Sequence, residues 1–176
     1  MTQPTHAMKD FFLSRTTAHI NRVAFNMSVM TGYAGFDLAT LEARGKAHDK
    51  SKWEGEERRC YTWLTECHRC KTHGLAFEFP AGVEAEVTSA MELHKSLNRH
   101  HPEAHSCPDA MENLDIIEMV ADWKAMAQEF NEEGGSPRGW VKANISTWDF
   151  SPDKKEYIFS TIDHMDQAYL NATNRL

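Results

Sequence analysis

An all-α bundle of about six or seven helices is the fold class this sequence predicts, on three observations. Apolar residues recur at spacings of three and four through most of the chain, the period of one helix face. Breaks rich in Gly and Pro cut that pattern into segments of helix length. No stretch reads convincingly as a strand, and neither a heptad nor an internal repeat is present. The chain has 176 residues, one domain's worth and enough for a real core. It therefore reads as a disordered lead-in, residues 1–8, followed by a single α-helical domain, residues 9–176.

The first helix starts near Lys9, with Phe11, Phe12, Ala18, Val23, Phe25, Met27 and Met30 at helical spacings. His19 and Arg22 are three apart and project from one face. Gly32-Tyr33-Ala34-Gly35 breaks this helix. Asp37 is the expected N-cap of the next, whose inward face is Leu38, Leu41 and Ala43. That helix runs into His48-Asp49. A third helix is expected from Glu54 to about His73, with Trp53, Tyr61, Trp63 and Leu64 as apolar contacts. Glu56 or Glu57 stands at the right distance to orient a water or a histidine. Cys67-His68-Arg69-Cys70 is a C-x-x-C, but no second C-x-x-C completes a zinc set. Apolar thiols on a helix are the preferred reading there.

A loop spans Gly74 to Gly82, and a helix then runs from about Val83 to Asn98. His94, Asn98 and His101 form one stripe of it. Pro102 stops it, so the following His-rich segment is a turn that brings imidazoles to the mouth of a site. For His105 a plain polar turn is preferred. The helix expected over Met111–Glu133 has the clearest pattern. Asp115, Glu118 and Asp122 share one of its faces, yet Ile116, Ile117, Met119, Val120 and Ala121 surround them. Buried carboxylates need a cation or a hydrogen-bond partner. A flexible loop, Gly134–Gly139, leads to a short helix, Val141–Thr147. Ser151 and Pro152 then open the last helix as N-cap and first residue. Its core face is Tyr157, Ile158, Ile162, Met165 and Tyr169, with His164 as a structural residue.

Composition bounds the function. Hydrophobic residues make up 41% and charged residues 26%, as in an ordinary soluble globular protein. The net charge of −7 disfavours generic attraction to duplex nucleic acid or to an anionic membrane, but leaves room for a local basic pocket that takes a phosphate. The first residues show neither a basic nor an apolar signal region, and no run is long enough to span a bilayer, so a cytoplasmic location is expected. In that compartment the four cysteines are expected as free thiols. Ten histidines are an excess that asks for an explanation. Neutral imidazole beside ionised carboxylate suits a divalent cation. His48-Asp49, with His19 upstream and His94, His100 and His101 downstream, supplies such groups. His94 and His101 are the first choice for a second ion, and His100 is the alternative to His101.

The order His…His-Asp…His…His…Asp resembles the HD-domain superfamily of metal-dependent phosphohydrolases. His48-Asp49-Lys50-Ser51-Lys52 is similar to its His-Asp-x-Gly-Lys, with Ser51 where many members have Gly. Ile117-Glu118-Met119-Val120-Ala121-Asp122 resembles the helix that delivers the last aspartate. His19 lies where the first ligand is expected. Together, "HDKSKWEGEE", "NRHHPEAH" and "DIIEMVADW" resemble a small HD-like family found in phages and bacteria. The resemblance covers roughly His19 to Trp123. It implies a first ion held by His19, His48, Asp49 and Asp122, with Asp49 bridging to any second ion at His94 and His101. Asp115 and Glu118 are alternative ligands or supports behind them. Asp49 and Lys52 are the implied catalytic residues, and Lys52, Arg22 and Arg99 the groups that neutralise phosphate.

The cofactor expected is one or two divalent ions, drawn from Mn, Mg, Ni, Zn and Fe. The substrate expected is a small phosphorylated molecule, with a nucleotide first. Two other readings stay open: an HD-type di-iron oxygenase, and a non-catalytic nucleotide- or partner-binding protein on the same scaffold. Homo-oligomerisation also stays open.

Overall fold

The computed structural model describes residues 2–174. Among them it has seven α-helices, joined by loops and short 3₁₀ turns, and no strand. They are α1 His6–Ser28, α2 Leu38–Ala47, α3 Gly55–Thr72, α4 Val83–Leu97, α5 Asn113–Phe130, α6 Arg138–Asn144 and α7 Pro152–Thr173. The all-α class read from the sequence is the class observed. No helix is long and apolar enough to cross a membrane.

Local chemistry sets the helix ends. The Asp37 carboxylate accepts from the Thr40 amide at 2.8 Å, and the Ser151 hydroxyl accepts from the Lys154 amide at 3.3 Å, so both expected N-caps are in place. Three expectations need correction. Residues 1–8 are not all lead-in, because α1 already starts at His6. The Thr5 hydroxyl accepts from the Met8 amide at 3.3 Å, and Met8 itself is buried. A cap and an apolar anchor thus draw helix out of a stretch with no helical period. Met1 lies outside the described residues. The Gly134–Gly139 stretch is not a free loop either, since α6 begins at Arg138. The Ser136 hydroxyl accepts from the Arg138 amide and the Glu133 carboxylate accepts from the Gly139 amide, which ties the segment down. Helix α5 is shorter than Met111–Glu133, ending where Asn131 turns left-handed at φ 53°.

Backbone proximity sorts the chain into two compact units. The first comprises Asp49–Asn98 and the chain up to Ala18. Its core is Met8, Cys60, Trp63, Val83 and Val87, from α1, α3 and α4, with Phe77 and Phe79 edge-to-face alongside. The second comprises His19–His48 and the chain from Arg99 onward. Its core joins Val23, Met27, Leu41, Ile116, Ile117 and Ile162, from α1, α2, α5 and α7. Helix α5 is buried on most of its sides, and Asp115 and Glu118 are buried with it.

The close approach of α2 to α1 depends on one glycine. A Cβ built on Gly45 would lie 2.7 Å from the Ala24 Cα, and that atom is backbone. In an open helix, Gly→Ala stabilises by about 1 kcal/mol. Here the sign reverses: Gly45→Ala is expected to destabilise by about 1–3 kcal/mol through overpacking. Urea unfolding measures it, and a gain in stability would show that the two helices are not in such contact.

Candidate metal centre

Three helices bring the centre together. His19 comes from α1, His48 closes α2 and Asp122 comes from α5. Helix α2 stops at Ala47 because His48 turns extended, at φ −53° and ψ 133°. Asp49 follows at φ 54°, in the left-handed region that costs most L-residues about 1–2 kcal/mol and that Asp tolerates better than most. The turn swings His48 off the helix and under α5. His19 Nε2 lies 3.0 Å from Asp122 Oδ1, and His48 Nε2 lies 3.9 Å from the same oxygen. The His19 and His48 ring centres are 5.5 Å apart. One ligand atom from each of the three residues falls within 4.8 Å of the others. Both histidines are buried, and Asp122 is half-buried. Two imidazoles and a carboxylate converging at this spacing can hold a metal ion.

A second layer fixes the first. Glu118 Oε1 lies 2.9 Å from His48 Nδ1 and 3.4 Å from His100 Nδ1. A proton donated from His48 Nδ1 to Glu118 leaves Nε2 with its lone pair on the side of Asp122, the usual arrangement behind a ligating histidine. The His100 ring centre is 4.4 Å from that of His48. Arg44 Nε donates to Glu118 while its Nη2 donates to Asp115 at 2.8 Å. Asp115 also accepts from Arg99 Nε at 3.2 Å, from Arg99 Nη2 at 2.8 Å and from the Glu112 amide at 3.3 Å. Its lone pairs are spent on those donors, so it props the site rather than ligating.

Charge follows the same pattern. Burial pushes the Glu118 carboxyl up, but hydrogen bonds from His100 and His48 outweigh it and hold the group well below the usual carboxylate range. Burial also pushes Asp122 up, and there the His19 hydrogen bond and the electrostatic influence of the surrounding imidazoles outweigh it and lower it. Both carboxylates stay ionised, as cation ligands and their supports must.

The first unit carries its own constellation. His94, on α4, lies 3.1 Å through Nε2 from Asp49 Oδ1 and 2.7 Å through Nδ1 from Glu57 Oε1. Burial would lower the His94 imidazole, but its hydrogen bonds to Asp49 and Glu57 outweigh that and raise it. The Lys52 ammonium pairs with Asp49 Oδ2 and lies 4.5 Å over the Tyr61 ring. Of the two glutamates considered from sequence, Glu57 orients a histidine and Glu56 instead holds Arg59.

His19, His48 and Asp122 come together, with Glu118 behind them. Asp49, Lys52 and His94 come together in the other unit. Of the adjacent pair, His100 packs on His48 and Glu118, while His101 is half-buried and tilts against His100 with ring centres 4.2 Å apart. Arg22 pairs with Glu129 at 3.4 Å, and Arg99 grips Asp115. His105 hands its ring to the Arg99 carbonyl at 2.8 Å, and His164 stacks on Tyr33. The four cysteines are free thiols, and among the described residues no ligand-like group includes one. Arg44 is the residue that sequence reasoning missed. Its signal was its place in the last turn of α2, four residues before His48.

Neither curated proteins nor solved structures give a match to the chain. A family model does match, over residues 8–164. That span runs from the first turn of α1 into α7 and takes in every residue of both constellations. The chain belongs to the family of unknown function DUF5662.

Proposed function

We propose that the protein is an HD-type, metal-dependent phosphohydrolase acting on a small phosphorylated molecule, with a nucleotide as the substrate class to test first. The observation that carries the reading is the convergence of His19, His48 and Asp122, with Glu118 fixing the His48 tautomer from behind. The buried donor set of imidazole nitrogens and a carboxylate suits Mn, Fe, Ni or Zn, and Mg less well. Asp49, next along the chain from His48, is the ligand that the HD pattern adds. For a second ion the sequence pattern adds His94, which Glu57 holds by its Nδ1.

A bound divalent ion supplies Lewis acidity, which lowers the pKa of water and polarises a phosphoryl oxygen. The chain's own groups do the rest. Glu118 keeps His48 Nδ1 protonated and its Nε2 available. Lys52, paired with the Asp49 carboxylate, would be the ammonium that neutralises a phosphoryl oxygen. Arg99 is half-exposed and keeps donors beyond those given to Asp115. Arg22, paired with Glu129, is the weaker choice for that role.

The test is elemental analysis of the purified protein, followed by a phosphate-release screen of nucleotides in the metal found. Asp49→Ala is expected to abolish turnover and to keep the helical circular-dichroism signal. Turnover retained in that variant would overturn the assignment. Two equivalents of iron with substrate-dependent oxygen consumption would replace it with an oxygenase.

A further inference from the structure

Behind His94 the first unit holds a chain of hydrogen bonds that centres on one hydroxyl. It belongs to Ser51, in the 3₁₀ turn Lys50–Trp53 that follows Asp49. The Ser51 hydroxyl donates to Glu57 Oε1 at 2.9 Å. The same oxygen lies 2.7 Å from His94 Nδ1. Asn98, the residue that closes α4, reaches Ser51 Oγ with its Nδ2 at 3.4 Å. Ser51 thus ties together the turn after Asp49, the first turn of α3 and the end of α4. Alanine or glycine at this position would make none of these contacts.

His94 Nδ1 has two neighbours that ask opposite things of it. Glu57 Oε1 is an acceptor and needs a proton on Nδ1. Asn98 Nδ2, at 3.1 Å, is a donor and needs a lone pair there. A neutral imidazole satisfies only one of them, and the choice sets the state of its other nitrogen. That nitrogen, Nε2, lies 3.1 Å from Asp49 Oδ1. With Nδ1 protonated, Nε2 presents a lone pair on the side of Asp49, as a ligand nitrogen must. With Nδ1 bare, Nε2 carries the proton and ligates nothing.

Ser51 bears on both neighbours in the same direction. Its proton goes to Glu57, which helps hold that carboxylate on the ring and out of the solvent that 13% of its side chain still meets. Its oxygen accepts from the Asn98 amide, which otherwise turns to the His94 carbonyl at 2.8 Å and to Nδ1 itself. Ser51 Oγ stands 3.5 Å from Nδ1, too far for a good bond to the ring, so its influence runs through Glu57 and Asn98. His94 and Asp49 are each 2% exposed at the side chain, so water does not take over the task.

We infer that Ser51 is a positioning residue: through Glu57 and Asn98 it fixes the His94 tautomer with Nδ1 protonated and Nε2 turned to Asp49. The use of that nitrogen for an ion rests on the proposed hydrolase, whereas the tautomer itself does not.

The test is proton–nitrogen correlation NMR of the histidine rings in the EDTA-treated full chain, at a pH where the imidazoles are neutral. Wild type, Ser51→Ala and Ser51→Thr are compared, and His94→Ala assigns the ring. Circular dichroism checks that each variant folds. The Nδ1–H form is expected to dominate in wild type. Ser51→Ala is expected to lower the ratio of the two tautomers about 5- to 10-fold, and Ser51→Thr, which keeps the hydroxyl, to restore it. Chelator competition with Mn(II) supplies a second reading, in which Ser51→Ala is expected to bind about 10-fold more weakly. A dominant Nε2–H form in wild type would overturn the role, as would an unchanged ratio in Ser51→Ala or no recovery in Ser51→Thr. Weaker metal binding with an unchanged tautomer would overturn it too, as a plain packing effect. A wild-type chain that takes up no metal would remove the hydrolase and leave the tautomer result to decide the role of Ser51.

Discussion

His48→Ala is expected to lose metal affinity by more than about 100-fold, while Glu118→Gln loses about 10- to 100-fold. The two variants act at different depths of the same chain of contacts. His48 would supply a ligand nitrogen directly. Glu118 only accepts from the other nitrogen of that ring, at 2.9 Å. Glutamine keeps an acceptor in place but loses the charge that makes the imidazole a stronger donor toward the metal. It also weakens the grip of Arg44, which donates to the same carboxylate. Competition with a chromophoric chelator gives both affinities. Equal losses in the two variants would mean that Glu118 ligates. No loss in Glu118→Gln would mean that it has no part in the centre. Wild-type protein that takes up no metal even on reconstitution would make the histidines structural.

Helix number and most helix boundaries were legible in the sequence, because caps and breakers act locally. Asp37 and Ser151 cap where they stand, whatever the rest of the chain does. The misread ends were those fixed from a distance. Met8 makes helix at the N-terminus by burying itself against α3 and α4, and the α6 entry is tied by Glu133, six residues away from Gly139. Neither leaves a period in the sequence. The same distinction divides the candidate site. His48 and Asp49 were visible as a doublet, and Glu118 and Asp122 as carboxylates embedded in an apolar helix. The choice between His100 and His101 was not visible, because helical periodicity ends before Pro102, and in the turn the two rings lie together with only His100 fully buried. The partners of Asp115 were invisible for another reason: Arg44 and Arg99 reach it from 71 and 16 residues away.

Arg44→Ala is expected to be the most destabilising single change near the centre, at about 3 kcal/mol. One guanidinium spans two buried carboxylates, with Nε on Glu118 and Nη2 on Asp115. The carboxylates are 4% and 2% exposed at the side chain, so water cannot take over what Arg44 supplies. Asp115 keeps Arg99, but Glu118 would keep only imidazole donors. Arg44→Lys is expected to rescue little, because a single ammonium lacks the planar fork that serves both acids at once. The origin of the loss is separable by a double-mutant cycle. If it arises from the stranded Glu118 charge, then Arg44→Ala made in the Glu118→Gln background costs about 1–3 kcal/mol less than in wild type. Additive costs would locate the effect in the packing of the α2 terminus instead. Metal affinity then reads the functional side of the same contact. Arg44 touches none of the three ligands, yet it holds the residue that holds His48. Its removal should weaken metal binding by less than Glu118→Gln does, and not at all once Glu118 is already glutamine.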